Sequence, residues 1–283
     1  MGLELMYKNA LGEVVMRGDS STDIRVLQIE GLGPSENEYI SAVYTGYDGQ
    51  ETISQRKLPR CITASLEFCS KNSGTLKNAL KVLSKSGTLF IKTDELDRCI
   101  YCSQVQIPDV KRVLKGQIFT FAVQFVCDSP YFEDAEATVV PLYKREKLLS
   151  SPFTLPGKFG RIVIGAGVVV SGDENVEPVI SISFGETIDE SEMIEIENIT
   201  TGKRILLNYA PLENEIITID VGRRKIESSI SGNIIETLSD DTFLGDFALL
   251  KGRNFLNVNA GDVGTGFTIE CRYSNLYDEA VLI

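Results

Sequence analysis

The 283-residue chain contains no histidine. That absence removes the side chain that acts as general base in Ser-His-Asp and Cys-His arrangements and as a common nitrogen ligand of zinc. Tryptophan is absent too, which weakens a sugar-binding reading built on aromatic platforms. No stretch approaches the roughly 18 uncharged apolar residues of a membrane span, and Met1-Gly-Leu-Glu-Leu-Met-Tyr-Lys8 has neither the basic start nor the apolar run of a secretion signal. Folding in a cytoplasm is therefore expected. Positive charge is scarce: 28 lysines and arginines face 40 aspartates and glutamates, a net charge of -12. A surface of that sign repels a phosphate backbone, which argues against nucleic-acid recognition as the main activity.

What is present is apolar enough, at 43% hydrophobic residues, to give each of two domains a core. Four of the nine prolines, Pro130, Pro141, Pro152 and Pro156, fall in one stretch with the charged run Lys144-Arg-Glu-Lys147. This composition predicts a first domain over 1–140, a linker over 141–160 and a second domain over 161–283. The six cysteines, Cys61, Cys69, Cys99, Cys102, Cys127 and Cys271, lie mostly within apolar strand patterns. In a reducing compartment they are expected to be free thiols.

Periodicity points to a mainly β chain with one helix. Ile62, Ala64, Leu66 and Phe68 alternate with polar residues and predict a strand over 60–69. Leu76, Ala79, Leu80 and Leu83 recur at helical spacing, with Ser73 as N-cap and Gly87 as stop. Strands follow over 88–92 and 98–106, and Phe119, Phe121, Val123, Phe125 and Cys127 line one face of a long strand whose other face carries Ile118, Ala122 and Val126. A strand apolar on both faces is buried on both, one of them against a neighbouring subunit. After residue 160, short alternating strands with glycine-bearing turns predict a β-sandwich.

No motif for cofactor chemistry is complete, and no cofactor or metal is expected. Cys99 and Cys102 sit three apart on a strand, so their sulfurs diverge, and no second pair completes a zinc site. Gly165-Ala-Gly167 precedes the valine run Val168-Val-Val170 where a phosphate-binding loop would open a helix. The acidic groups around Asp189 and Asp240 lack calcium-loop spacing and read as solvated turns. Two features suit protein contacts instead. Arg223, Arg224 and Lys225 form a basic turn in an acidic chain, a candidate for docking an acidic partner. Tyr39, Tyr44 and Tyr47, beside the turn pair Asp48-Gly49, suggest a hairpin that projects onto a neighbour.

The order of several weak signals is more telling than any one of them. Asp48-Gly49, Arg60 before a strand, a helix, Arg98-Cys-Ile-Tyr101 and a closing strand ending in Pro130-Tyr-Phe132 are followed by Glu177-Pro-Val-Ile-Ser-Ile182, Asn198-Ile-Thr-Thr-Gly202, Ile219-Asp-Val-Gly222 and Leu250-Lys-Gly-Arg-Asn254. In this order over nearly the whole chain, they resemble the distal tail protein family of long-tailed bacteriophages. Two departures are a final turn reading Lys251-Gly-Arg-Asn254 in place of a Pro-Gly-Asn type, and the lack of a large insertion in the sandwich.

The resemblance implies a belt-like, split β-barrel domain with one α-helix, followed by a galectin-like β-sandwich. It also implies a structural protein without enzymatic activity, assembled in the bacterial host cytoplasm and resident in the virion tail. There it would form a homo-hexameric ring between the tail tube protein and the tail-tip proteins, and mount receptor-binding proteins. Cyclic closure needs two different complementary surfaces. The expected sides are the segment with Tyr39, Tyr44 and Tyr47, and the strand with Ile118, Phe119, Phe121 and Val123. The competing readings are a carbohydrate-binding module for host cell-wall polysaccharide and a tail-associated glycosidase or peptidase. A glycosidase would need two carboxylates held across a cleft, which no spacing here establishes.

Overall fold

The computed structural model describes residues 2–46, 48–69, 73–112, 118–147, 160–185, 194–259 and 267–280. The chain forms two compact units, one made of Met1–Ala135 with Leu276–Ile283 and the other of Glu136–Asn275. The first unit contains, in order, β1 (Glu4–Asn9), β2 (Gly12–Arg17), β3 (Ile24–Glu30), β4 (Asn37–Ala42), β5 (Glu51–Lys57), β6 (Arg60–Cys69), the helix α1 (Ser73–Leu83), β7 (Gly87–Lys92), β8 (Asp97–Cys102), β9 (Gln104–Gln106), β10 (Val110–Arg112), β11 (Ile118–Cys127) and β12 (Phe132–Asp134). The second contains β13 (Thr138–Lys147), β14 (Gly160–Ile164), β15 (Ala166–Val170), β16 (Val179–Phe184), β17 (Ile194–Asn198), β18 (Lys203–Leu207), β19 (Ile216–Asp220), β20 (Lys225–Ser228), β21 (Gly232–Asn233), β22 (Gly252–Asn259) and β23 (Phe267–Tyr273). The chain then returns to the first unit as β24 (Leu276–Tyr277).

In the first unit the strands run β10-β11-β6-β3-β2-β1-β7-β8-β12-β24, with β9 pairing onto β11 off this path. Only Ser103 separates β8 from β9, so the sheet curls until β9 reaches β11. It is not a closed barrel. The break at Ser103 splits one strand between two partners, and a single parallel residue pair, Arg17 with Arg25, joins β2 to β3. The expected belt-like split barrel thus takes the form of a curled, split sheet without full closure.

Strict alternation sets the core. Along β6 the even-numbered residues Ile62, Ala64, Leu66 and Phe68 are fully buried, and the β11 register puts Phe125, Val123, Phe121 and Phe119 opposite them. The helix closes this core with Leu76, Ala79, Val82 and Leu83. Its last carbonyls would be orphaned, but Asn9 Nδ2 donates to Val82 O at 2.8 Å and the Tyr7 hydroxyl donates to Lys85 O. Burial pushes the Tyr7 phenol up from its usual range, so it stays a neutral donor. Gly87, read as the helix stop, is instead the first residue of β7. A Cβ there would lie 2.5 Å from the Lys8 carbonyl oxygen, so glycine is required by close backbone approach.

The second unit is the expected sandwich, with a seven-stranded sheet β14-β13-β23-β16-β19-β20-β21 and a four-stranded sheet β15-β22-β17-β18. Ile180, Ile182, Ile217, Ile219, Ile269 and Cys271 are buried from the larger sheet, and Val168, Val170, Ile196, Ile205, Leu256 and Val258 from the smaller. Pro141, placed in a linker by composition, lies inside β13, where the pairing register slips between Pro141 and Tyr143. A bulge is one of the few places where a sheet accepts a residue without an N–H. The unit boundaries also depart from two consecutive stretches of chain, because the end of the chain belongs to the first unit; residues 148–159 lie outside the described residues.

Candidate functional site

The sequence places its candidate contact residues on three elements. Strands β4 and β5 form a separate two-stranded sheet. Tyr39, Ile40, Val43, Tyr44 and Ile53 are each more than half exposed along it, and an ion pair between Glu38 and Arg56 ties the two strands. Between the strands, Gly46 at φ 90° and Gly49 at φ 95° take backbone conformations that favour glycine. Tyr47 lies outside the described residues. An isolated hairpin is marginal in water, so an arm that exposes five large apolar side chains has the composition of a contact surface.

Strand β11 behaves differently from the expectation. Phe121 and Val123 are buried in the unit's own core, at 5% and 0% exposure. They cannot meet a neighbour, and their assignment to a subunit surface is corrected. The physical reason is that the strand's inward face already packs on β6 and the helix side of the sheet. Phe119 sits at the rim of this core, with its ring 6.4 Å from that of Phe68, and Ile118 is half-buried. The outward face stays open: a shallow depression of about 440 Å³ is lined by Leu27, Pro108, Thr120 and Ala122.

The basic turn joins β19 to β20. Arg223 is tied back to Asp220, with its N–H donating to Oδ1 at 2.9 Å and its side chain 3.7 Å from Oδ2. Lys225 pairs with Glu227 at 2.6 Å. Arg224 holds a left-handed φ of 53°, and of the three it alone lacks an acidic partner among the described residues. The three residues thus share a turn without pooling their charge.

Residues singled out only as motif letters prove to be structural clamps. Arg60 is 4% exposed; its Nε donates to Pro130 O at 2.8 Å, its Nη1 to Gly31 O at 2.7 Å and Gly33 O at 2.5 Å, and its Nη2 to Asp278 O at 2.6 Å. The guanidinium also lies 4.3 Å from the centre of the Phe132 ring. Arg98 donates to Glu279 O and lies 3.8 Å from the centre of the Tyr277 ring. In the second unit, fully buried Asn198 and Asn254 hold two turns. Asn198 accepts from Thr200 N and donates to Ala248 O, while Asn254 accepts from Leu250 N and donates to Leu250 O. Periodicity reveals none of these roles, because the hydrogen bonds named here run to main-chain groups.

Cys99 and Cys102 face opposite sides of β8, as their spacing requires, and the buried Cys102 Sγ lies 3.6 Å from Cys127 Sγ. Among the described residues no group of three His, Cys, Asp or Glu side chains is placed to hold a metal ion, and no helix is long and apolar enough to cross a membrane.

Residues 171–277 match the family model of the siphovirus-type tail component, C-terminal domain. No curated protein is significantly similar in sequence. Among solved structures, the chain is similar to the SPP1 Dit protein, described as a paradigm of hub adsorption apparatus in phages that infect Gram-positive bacteria, with a TM-score of 0.65 and 12% identity over 97% of this chain and 98% of that one. It is also similar to a chain of the phage P2 baseplate in its activated conformation with calcium, with a TM-score of 0.55 and 12% identity over 97% and 98% of the two chains. The same baseplate with strontium gives 0.50 and 13% over 95% and 98%. The resemblance to distal tail proteins is borne out, by the family model in the second unit and by the fold along nearly the whole chain.

Proposed function

We propose that six copies of this chain close into a ring at the distal end of a phage tail, where the ring joins the tail tube to the tip or baseplate and mounts receptor-binding components. The observation that carries this reading is the fold shared, over 97% of the chain, with a protein described as a hub of the adsorption apparatus. The hairpin β4–β5 gives it a physical basis, because a two-stranded arm with exposed Tyr39, Tyr44 and Ile53 gains stability by packing on a second copy. Its counter-surface is the depression beside Leu27 and Ala122 on the outward face of β11. One projecting surface and one receiving surface on different parts of the chain make the heterologous contact that a ring requires. The protein acts as a structural hub in the virion tail after assembly in the host cytoplasm.

Negative-stain images of the purified chain, alone and with the neighbouring tube and tip proteins, test this. Rings with a central channel are the expected result. Single particles under every combination contradict it.

A further inference from the structure

The second unit carries a further pocket. Beside the β19–β20 turn lies a depression of about 420 Å³, walled by Arg224, Thr242, Phe243, Leu244 and Gly245. Three features converge on it. Arg224 adopts a left-handed backbone conformation that non-glycine residues seldom hold. Its guanidinium rests over Gly245, where an added Cβ would come within 3.3 Å of Nε, so the missing side chain makes the room the arginine occupies. Among the described residues the hydroxyl of Thr242, a wall residue only 6% exposed, has no hydrogen-bond partner, a cost that native proteins seldom leave uncompensated. Phe243 at the rim is 69% exposed.

Three nearby carboxylates are already engaged. Asp246 pairs with Lys203 at 2.7 Å, Asp241 with Arg204, and Asp220 with Arg223. Among the described residues the guanidinium of Arg224 is therefore a local cation without a counter-charge, and it stands beside an apolar wall without a cover. A carboxylate answers the first, since a guanidinium fork presents paired N–H donors to it. A neighbouring apolar side chain answers the last. An uncharged sugar would leave the guanidinium uncompensated.

We propose that this pocket docks an acidic side chain flanked by an aliphatic residue, presented by a protein partner of the hub. Arginine and aromatic side chains around a small pocket, desolvated when the partner covers it, are the usual make-up of an interface hot spot. The proposal rests on the hub reading for the existence of a docked partner, but the pocket's chemistry is testable without any ring.

Saturation-transfer NMR on the full chain, with the peptides acetyl-Gly-Glu-Leu-Gly-amide and acetyl-Gly-Gln-Leu-Gly-amide as probes, tests it. The Glu peptide is expected to bind at least about tenfold more tightly than the Gln peptide, with the leucine methyls receiving saturation. R224Q is expected to erase that preference, while the thermal midpoint of R224Q stays that of the parent because the Arg224 side chain is exposed and has no acidic partner among the described residues. Equal binding of the two peptides, no binding of either, or a stronger response from glucuronate than from the Glu peptide would each overturn the proposal. The peptide comparison needs no variant, and its outcome is independent of whether rings form.

Discussion

The guanidinium of Arg60 donates to the main-chain carbonyl of Asp278 at 2.6 Å, across 218 positions of sequence. With the contact from Arg98 to Glu279 and the bond from Ala280 N to Leu32 O at 2.8 Å, it fastens the end of the chain into the first unit. That unit is complete only when residues after the sandwich have been made. Truncation after Asn275 leaves two buried arginines short of acceptors, and is expected to destabilise the first unit by about 3–5 kcal/mol. Far-UV circular dichroism in urea reads this as an early transition for the first unit, with the sandwich unaffected. Arg60→Lys should fail nearly as badly, since a single ammonium cannot span carbonyls from three segments.

The asparagines of the two sandwich turns are expected to be intolerant of change. Asn198→Ala removes an acceptor from Thr200 N and a donor from Ala248 O in a site with no solvent access, and Asn254→Ala does the same at Leu250. Each is expected to cost about 1–3 kcal/mol. Asn→Asp at either position should be worse than Asn→Gln, because it buries a charge. Thermal midpoints of the four variants measure the order.

Glu215 predicts a pH dependence with a definite sign. Burial opposes its charge, but bonds from Ser228 Oγ, from Leu212 N at 2.7 Å and from the Tyr209 hydroxyl at 2.8 Å outweigh that, and hold the carboxyl below its ordinary value of 4.5. A depressed folded pKa stabilises above the unfolded value and loses that contribution as pH falls through the folded one. The stability gap between the parent and E215Q should be full at neutral pH and narrow as the solution is acidified below 4.5. A gap that widens in acid would reverse the assignment.

Two aromatic residues with similar roles in the sequence should separate cleanly in the laboratory. Phe121→Asp places a charge in the core and is expected to abolish cooperative unfolding of the first unit. Tyr44→Asp alters an exposed arm and should leave the unfolding free energy within about 1 kcal/mol of the parent while lowering the assembled fraction. Assembly is read by sedimentation velocity.

The strands, the helix and the sandwich were legible because alternation and helical spacing report which side chains face a core, and they do so without knowledge of the partner. The two faces of β11 show the limit of that signal. Ile118, Ala122 and Val126 are as apolar as the inward set, yet sequence cannot say which face the chain covers itself, so Phe121 and Val123 were placed on a surface they do not reach. Gly87 was legible as special but for the wrong reason, since a helix stop and a close backbone approach both select glycine. The return of Leu276–Tyr277 to the first unit had no local signal, because it is set by carbonyl groups that every residue possesses. In the basic turn, composition gave three equal cations; only the ion pairs of Arg223 and Lys225 single out Arg224.

The absolute mass of the purified chain, measured by light scattering across a concentration series with and without the neighbouring tail proteins, tests the ring most directly. The account predicts a species of about 187 kDa, six times the 31.2 kDa chain, and its loss in Tyr44→Asp. A mass of 31.2 kDa at every concentration and with every partner would contradict it.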